Sequence, residues 1–232
     1  MLASSAIAKN PTNTACERPE KDPNPFFGRR AIDIAGAAVM LVIAAPVMLL
    51  LAGLIRLTMG RPVLFRQLRA GRDGRPFTLY KFRSMREAAG NDGRPLTDAA
   101  RLTRLGRLLR RTSLDELPQL LNVLRGEMSI FGPRPLLMKY LERYTPRQAR
   151  RLKVKPGLTG WSQVNGRNAM SWEEKLALDS WYADHRSLRL DAQILLRTFG
   201  KVLRGEGINH PDDATMPEFT GSPASATTEV GQ

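Results

Sequence analysis

Residues 35–55, AGAAVMLVIAAPVMLLLAGLI, decide the class of this protein, because they form 21 consecutive positions without a charged side chain. At about 1.5 Å of rise per residue, a straight helix of this length spans roughly the 30 Å hydrocarbon core of a membrane. The stretch is too long and too apolar for a typical core helix of a soluble domain. The sequence therefore predicts a helix that inserts into a membrane.

Basic residues flank this segment on both sides: Arg29 and Arg30 before it, and Arg56, Arg61, Arg66 and Arg69 after it. Positive charge favours the cytoplasmic side of a membrane, so both ends are drawn to the same face. Pro46 lies near the middle, where it removes a backbone hydrogen bond and predicts a kink. These features favour a re-entrant helix that bends at Pro46 and returns. The alternative is an ordinary, mildly kinked transmembrane helix attached to a cytoplasmic domain.

The composition indicates a basic protein of a reducing compartment. There are 36 Lys and Arg against 22 Asp and Glu, a net charge of +14, so a polyanionic partner is expected. Nucleic acid, anionic lipid headgroups and phosphorylated substrates all satisfy this criterion. Cys16 is the only cysteine, which excludes an intrachain disulfide and favours a cytoplasmic location for the folded part.

The chain length allows one domain of ordinary size with appendages. Residues 1–25 and 209–232 contain few large apolar side chains, so both are predicted to be disordered tails. Residues 26–58 form the predicted membrane helix. Residues 59–208 form the predicted cytoplasmic domain.

The predicted fold is mainly α with a small β-hairpin. Residues 62–65 and 76–82 are β-like and flank the turn-rich stretch 71–75, which predicts the hairpin. Helices are predicted over residues 101–109, 114–125, 137–151, 171–185 and 188–204. In the first of these, leucines share one side and arginines the rest, so it either lies in the lipid headgroup layer or packs on the domain core. The overall prediction is a membrane-inserted helix, either re-entrant or spanning, amphipathic helices that are either interfacial or packed on the core, and a compact cytoplasmic domain.

Two adjacent carboxylates, Asp115 and Glu116, follow Arg110 and Arg111 at the start of an apolar helical pattern. The structural explanation is a helix start, because Ser113 and Glu116 have the spacing of a capping box and acidic residues complement the helix dipole. The functional explanation is an anion site, since free N–H groups and arginines attract phosphate. A carboxylate beside a bound phosphate can act as a nucleophile or hold Mg²⁺.

A second candidate is Arg134, which stands between Pro133 and Pro135. The prolines stiffen the loop and present the guanidinium in a form suited to two-pronged phosphate binding. A rigid turn with a solvated arginine is the structural alternative. Further on, residues 155–168 (KPGLTGWSQVNGRN) combine glycines and amides, including Gln163, that could hydrogen-bond a sugar or a base. They could equally form a structural loop.

Two common classes of catalytic site find no support. His185 and His210 are the two histidines, they lie far apart in sequence, and neither has a neighbouring Cys or His to complete a zinc site. No serine lies in a Gly-x-Ser-x-Gly context, which removes the usual support for a hydrolase triad.

The chain resembles the bacterial sugar transferase family, the small monotopic phosphoglycosyl transferases that initiate exopolysaccharide, O-antigen and glycoprotein assembly. The resemblance covers roughly residues 26–207 and rests on several separated motifs in the expected order. These motifs are KFRSM at 81–85, SLDELPQLLNVL at 113–124, MSIFGPRP at 128–135 and KPGLTGW at 155–161.

The resemblance implies a re-entrant helix broken by a proline, which Pro46 supplies, at the cytoplasmic face of the bacterial inner membrane. It implies that Asp115 binds Mg²⁺ and carries a covalent phosphosugar, with Glu116 as its dyad partner. Arg110 and Arg134 match the family's phosphate-binding arginines, and Lys81, Arg83 and Gln163 are further substrate-binding candidates. The implied partners are a nucleotide-sugar donor, most simply a UDP-sugar, a polyprenyl phosphate acceptor and anionic lipids, with a homodimer left open.

Two other functions compete with this one. A non-catalytic membrane-surface adaptor of the same fold would explain the charge and the apolar segment, although the intact Asp-Glu pair argues against it. A nucleic-acid-binding protein is suggested by the net charge alone. It leaves the 21-residue apolar run unexplained, so no nucleic-acid partner is expected.

Overall fold

The computed structural model describes residues 28–86, 97–166, 170–204 and 218–221. The α-helices are α1 (Arg29–Met59), α2 (Asp98–Arg101), α3 (Arg104–Thr112), α4 (Leu120–Arg125), α5 (Pro146–Ala149), α6 (Trp161–Asn165), α7 (Trp172–His185) and α8 (Leu188–Arg204). The strands are β1 (Leu64–Ala70), β2 (Pro76–Phe82), β3 (Ser129–Phe131) and β4 (Gly157–Thr159). Short 3-10 helices cover Arg72–Gly74, Leu114–Gln119, Met138–Arg143 and Arg150–Lys153. The predicted tail at 1–25 and most of the one at 209–232 lie outside the described residues.

The predicted apolar helix is present as α1, which runs without interruption through Pro46 for 31 residues. Within the described part of the chain it is the one helix long and apolar enough to cross a membrane. One face packs on the rest of the domain, burying Ala37, Leu51 and Ile55. The other face exposes large apolar side chains: Ile32, Ile34, Val39, Val42, Ile43, Val47, Leu49, Leu50, Leu54 and Leu57. A soluble monomer rarely exposes so large a contiguous apolar surface, so this face is suited to lipid.

The N-terminal end of α1 is fixed to the domain by its charged residues. Arg30 donates to the carbonyl oxygens of Val123 and Leu124, at the C-terminal end of α4, at 2.6 and 2.7 Å. The buried Asp33 carboxylate accepts hydrogen bonds from Ser129 Oγ and the Ile130 N–H, both at 2.9 Å. The positive flank of the apolar segment therefore binds the domain as well as favouring one side of a membrane.

The C-terminal end of α1 is fixed to the same domain. Arg83, just after β2, donates to the carbonyl oxygens of Met59 and Arg61 at 3.4 and 2.9 Å. Ile55 is fully buried against Phe82 and Leu109. Both ends of one long apolar helix thus contact a single folded body.

The predicted hairpin is confirmed as the antiparallel pair of β1 and β2, in a register that places Leu64 opposite Phe82 and Ala70 opposite Pro76. The turn between the strands contains Asp73 at φ 56° and Gly74 at φ 73°. The sequence predicts this strand at residues 62–65, whereas β1 runs from Leu64 to Ala70. The basic side chains of β1 obscure the alternation of apolar and polar residues by which a strand is recognised in the sequence.

A second strand pair, β3 with β4, was not predicted. These strands are parallel and three residues long, and Gly132, at the end of β3, donates its N–H to the Thr159 carbonyl at 2.9 Å. Gly132 and Gly157 approach so closely that a Cβ on Gly157 would lie 2.1 Å from the Gly132 nitrogen. The glycines of the 155–168 loop therefore allow close contact between two backbone segments.

The last two predicted helices are confirmed as α7 and α8. A capping box between Ser171 and Glu174 explains where α7 begins. The predictions over 114–125 and 137–151 were too simple, because each range divides into 3-10 and short α segments. Each range contains a proline: Pro118 lies within the first, and Pro146 begins α5 in the second.

The predicted amphipathic helix at 101–109 corresponds mainly to α3, which begins at Arg104. Leu109 is fully buried, and Leu105 packs against the same cluster. Leu108, by contrast, is 54% exposed, so only part of the leucine face points outward. These contacts favour the alternative of a surface helix packed on the core.

Residues 218–221, within the predicted C-terminal tail, pack on the domain. The Phe219 ring is 1% exposed and lies 5.4 to 6.0 Å, centroid to centroid, from the rings of Trp172, Tyr140 and Tyr144. Its N–H donates to the Tyr140 hydroxyl at 3.3 Å, and its carbonyl accepts from Arg143. Glu218 adds an ion pair with Arg143 at 2.8 Å. This short segment completes the aromatic cluster around Tyr140.

Replacing Phe219 with Ala should destabilise the protein by up to about 3 kcal/mol, because it removes a buried ring from this cluster. The melting temperature of the full-length protein in detergent should fall by several degrees. Phe199→Ala removes the same ring from a side chain that is 62% exposed, and it should change the melting temperature much less. Equal effects of the two substitutions would contradict a docked C-terminal segment.

Candidate active site

Asp115 and Glu116 lie in the 3-10 helix Leu114–Gln119, directly after α3. Ser113 ends α3 with left-handed geometry, φ 57°, and its N–H bonds the carbonyls of Leu109 and Arg110. The predicted capping box is therefore wrong, because the Ser113 side chain caps no N–H and the Glu116 side chain is engaged elsewhere. The carboxylates are presented at a turn between two helical segments.

Glu116 is held by two cations from distant parts of the sequence. Lys81 Nζ, on β2, donates to Glu116 Oε1 at 2.7 Å, and Arg134, in the loop after β3, donates to the same oxygen at 2.6 Å. Burial disfavours the charged carboxylate, but Arg134 and Lys81 outweigh burial and hold the pKa of Glu116 far below its usual value. Glu116 is consequently ionised throughout the physiological pH range.

Asp115 is in a different state although it is the adjacent residue. Its side chain is buried, and its Oδ2 lies 4.0 Å from Lys81 Nζ, beyond hydrogen-bond distance. Burial and the negative charge of Glu116 raise the pKa of Asp115 to about 6, while Lys81, Arg134 and Arg110 act in the opposite direction. The dyad therefore contains one carboxylate fixed by two close ion pairs and one without such a pair.

Arg110 and Arg134, the two predicted phosphate ligands, both belong to this cluster. Arg110 lies on α3 close enough to Asp115 to affect its charge, and its Nε donates to Ser84 Oγ at 3.1 Å. Arg134 is more open, with 41% of its side chain exposed. The structure thus brings Lys81, Arg110, Asp115, Glu116 and Arg134 together, and their roles with substrate stay predictions.

The other two candidate residues have different surroundings. Arg83 donates to backbone carbonyls at the end of α1 and to the Met85 carbonyl, which gives it a structural role. The Gln163 amide donates to the Leu158 carbonyl at 3.3 Å, and its buried Oε1 has no hydrogen-bond partner among the described residues. Neither arrangement tests substrate binding, so both assignments stay predictions.

Sequence reasoning missed the support beneath Arg134. Arg151 donates to the Arg134 carbonyl at 2.6 Å and forms a fully buried ion pair with Asp179 on α7 at 2.8 Å. Ser162 donates to the other oxygen of that carboxylate at 2.6 Å. The sequence contains one indication of this contact. Asp179 has the helical spacing of Leu176 and Ala183, so a charged residue lies on an apolar face, which is buried in α7.

Comparison with known proteins identifies the family. Residues 25–205 match the model of the bacterial sugar transferase family. This chain belongs to the bacterial sugar transferase family. It is 52% identical over 194 residues, 84% of this chain and 96% of the relative, to the uncharacterized sugar transferase EpsL of Bacillus subtilis.

Two longer relatives of this sugar transferase have names that state an activity. One is the UDP-galactose-lipid carrier transferase of Erwinia amylovora, 39% identical over 78% of this chain and 41% of the relative. The other is the UDP-glucose:undecaprenyl-phosphate glucose-1-phosphate transferase of Caulobacter vibrioides, 41% identical over 75% of this chain and 69% of the relative. The sugar transferase thus spans about two fifths of the first protein and two thirds of the second.

In the metal-free protein, the Asp115 carboxyl should titrate near pH 6 while Glu116 remains ionised. The pKa is raised, so the charged form is lost as the pH falls through 6. Carbon NMR of side-chain carboxyls in detergent, with Asp115→Asn for assignment, measures this midpoint. Arg110→Gln should raise it further, because a nearby positive charge is removed. A midpoint near 4 in the wild type would contradict the expectation.

Proposed function

We propose that this sugar transferase moves a sugar 1-phosphate from a UDP-sugar to undecaprenyl phosphate, giving undecaprenyl-diphosphate-sugar and UMP. The observation that carries the proposal is Asp115, a buried carboxylate with a raised pKa beside Lys81, Arg110 and Arg134. The three cations suit phosphate groups, and the carboxylate suits attack on phosphorus. The names of the Erwinia and Caulobacter relatives support the same donor and acceptor classes.

The proposed reaction has two displacements at one phosphorus atom. An Asp115 oxygen attacks the sugar-linked phosphorus, the bond to the bridging oxygen breaks, and that oxygen leaves with UMP. A phosphate oxygen of the lipid then attacks the same phosphorus and releases the Asp115 carboxylate. Two steps allow the soluble donor and the lipid acceptor to use a small site in turn. Arg110 and Arg134 stabilise the charge that develops on the phosphoryl oxygens.

Glu116 fits a positioning role better than proton transfer. It accepts from both Lys81 and Arg134, and it keeps its charge at physiological pH because those cations hold its pKa low. A carboxylate that remains ionised is a poor donor of protons. Glu116 therefore orients two cations towards the position of the substrate phosphates.

The residues also fit the proposed Mg²⁺ cofactor. Mg²⁺ is commonly held by one or two carboxylates together with substrate phosphates. Asp115 is suited to this because it is not in a close ion pair, and among the described residues no group of three or more His, Cys, Asp or Glu offers a larger site. When bound, the ion would neutralise diphosphate charge and make UMP a better leaving group.

We also propose that α1 is re-entrant and that the enzyme acts at the cytoplasmic face of the bacterial inner membrane. Contacts of both ends of α1 with one body support this topology, because a helix that crosses the membrane would place its two ends on opposite faces, where a domain on one face could not bind both. Arg30 and Arg83 make those contacts. The exposed apolar side chains of α8, Leu188, Leu195, Leu196 and Phe199, supply a second surface for the lipid interface.

Cysteines placed at the two exposed ends of α1, Gly28→Cys and Arg61→Cys in a Cys16→Ser background, test the topology. In intact cells, a membrane-impermeant maleimide should label neither position, and permeabilised cells should show both labelled. A periplasmic protein with an exposed cysteine is the positive control. Labelling of Gly28→Cys alone in intact cells would establish a spanning helix and contradict re-entry.

Omitting the acceptor tests the covalent intermediate. Wild-type enzyme with Mg²⁺ and a UDP-sugar labelled in the sugar should release one equivalent of UMP and retain label on a peptide containing Asp115. Asp115→Asn should abolish both, because an amide is a poor nucleophile. The control Asp73→Asn alters an exposed aspartate of the hairpin turn and should behave as wild type. Full turnover without labelled protein or a UMP burst would favour direct transfer, and no turnover with any UDP-sugar would favour a non-catalytic adaptor.

A further inference from the structure

Arg69 shares a face of the hairpin with the active-site lysine. In the register of β1 and β2, Arg69 lies opposite Phe77, and Phe65 lies opposite Lys81. Directly opposite residues share a face of an antiparallel pair, and alternate residues along a strand return to that face. Arg69 and Lys81 therefore project from the same side of the hairpin, on which Phe77 is part of the core. Arg66, three positions earlier, projects from the other side.

Backbone pairing brings Arg69 to the loop that contains Arg134. The Ala70 N–H donates to the Leu136 carbonyl at 3.0 Å, and Arg69 forms an antiparallel bridge with Leu137. Leu136 and Leu137 follow Arg134 after a single proline. Backbone pairing thus joins the end of β1 to the loop that contains Arg134.

The Arg69 guanidinium is only partly satisfied by the protein. One terminal nitrogen donates to Gln67 Oε1 at 2.6 Å, which fixes the side chain on this face. Its Nε is buried and has no hydrogen-bond acceptor among the described residues. Burying a charged donor without an acceptor costs free energy, and a planar guanidinium is suited to oxyanions.

The electrostatic surroundings also favour an anion next to Arg69. Burial and the charge of Arg134 lower the pKa of Arg69 to about 10, and Tyr140 and Glu116 only partly oppose them. Arg69, Lys81, Arg110 and Arg134 form a group of four cations that faces two carboxylates. The excess of positive charge favours an anion such as the diphosphate of a nucleotide-sugar.

We propose that Arg69 is a further phosphate-binding residue, which with Arg134 holds the phosphate adjacent to the one that reacts at Asp115. This inference rests on the proposed function, which supplies the diphosphate. In the first displacement, the adjacent phosphate is the one that leaves as UMP. A phosphate of the lipid acceptor has the same chemistry and could use the same donors in the second displacement.

Matched variants of β1 test the assignment in the full-length protein in detergent. Arg69→Gln removes the charge and the fork, Arg69→Lys keeps the charge, and Arg66→Gln removes a charge from the opposite face of the same strand. UMP binding is measured by calorimetry without turnover, which gives a readout independent of activity. In Arg69→Gln the Kd of UMP should rise about tenfold or more, as expected for a charge-assisted hydrogen bond. In Arg69→Lys it should rise several-fold, and in Arg66→Gln less than twofold.

The source of the phosphate is distinguished in a second arm, in which enzyme loaded with labelled phosphosugar is chased with undecaprenyl phosphate. A nucleotide subsite predicts weaker UMP binding, while the undecaprenyl phosphate concentration for half-maximal release of the label is unchanged. A lipid-phosphate subsite predicts that the undecaprenyl phosphate concentration for half-maximal release of the label rises about tenfold. UMP binding is then unchanged. Either result supports the inference. If Arg69→Lys, folded by its melting curve, matches Arg66→Gln in both arms, the inference is overturned. Failure of the proposed function would appear separately, as a wild type that releases no UMP from any UDP-sugar.

Discussion

The two ion pairs of Glu116 are the interaction on which the site depends. They join β2 through Lys81, the turn after α3 through Glu116 itself, and the loop after β3 through Arg134. Buried ion pairs contribute little net stability relative to apolar replacements, and the pair with Arg134 is further weakened by solvent because 41% of that side chain is exposed. The pairs therefore act mainly to specify one arrangement of three segments that are distant in sequence.

The same ion pairs differentiate the two carboxylates. Glu116 binds both cations at hydrogen-bond distance, whereas Asp115 remains 4.0 Å from Lys81 and has the negative Glu116 as its neighbour. Burial then raises the pKa of Asp115, while direct ion pairing lowers that of Glu116. Adjacent residues of similar chemistry thus acquire different pKa values from their contacts.

The sequence predicts features with a local cause and misses those made by contacts between distant residues. The apolar helix, the hairpin and α8 follow from uninterrupted runs or periodicity, and the stiff loop around Arg134 follows from its prolines. The three-residue strands β3 and β4 are too short to show a period. The ion pair of Arg151 with Asp179 and the burial of Phe219 join segments 28 or more residues apart, so local patterns could not indicate their partners.

The helix that is suited to lipid also supports the catalytic cations. In its N-terminal half, Asp33 binds Ser129 and Ile130 of β3, the strand that leads directly into the Arg134 loop. In its C-terminal half, Ile55 packs on Phe82, the residue after Lys81. A displacement of either half would move one of the two cations that hold Glu116. Docking of α1 and assembly of the site are therefore linked, because the same helix contacts the segments that carry Lys81 and Arg134.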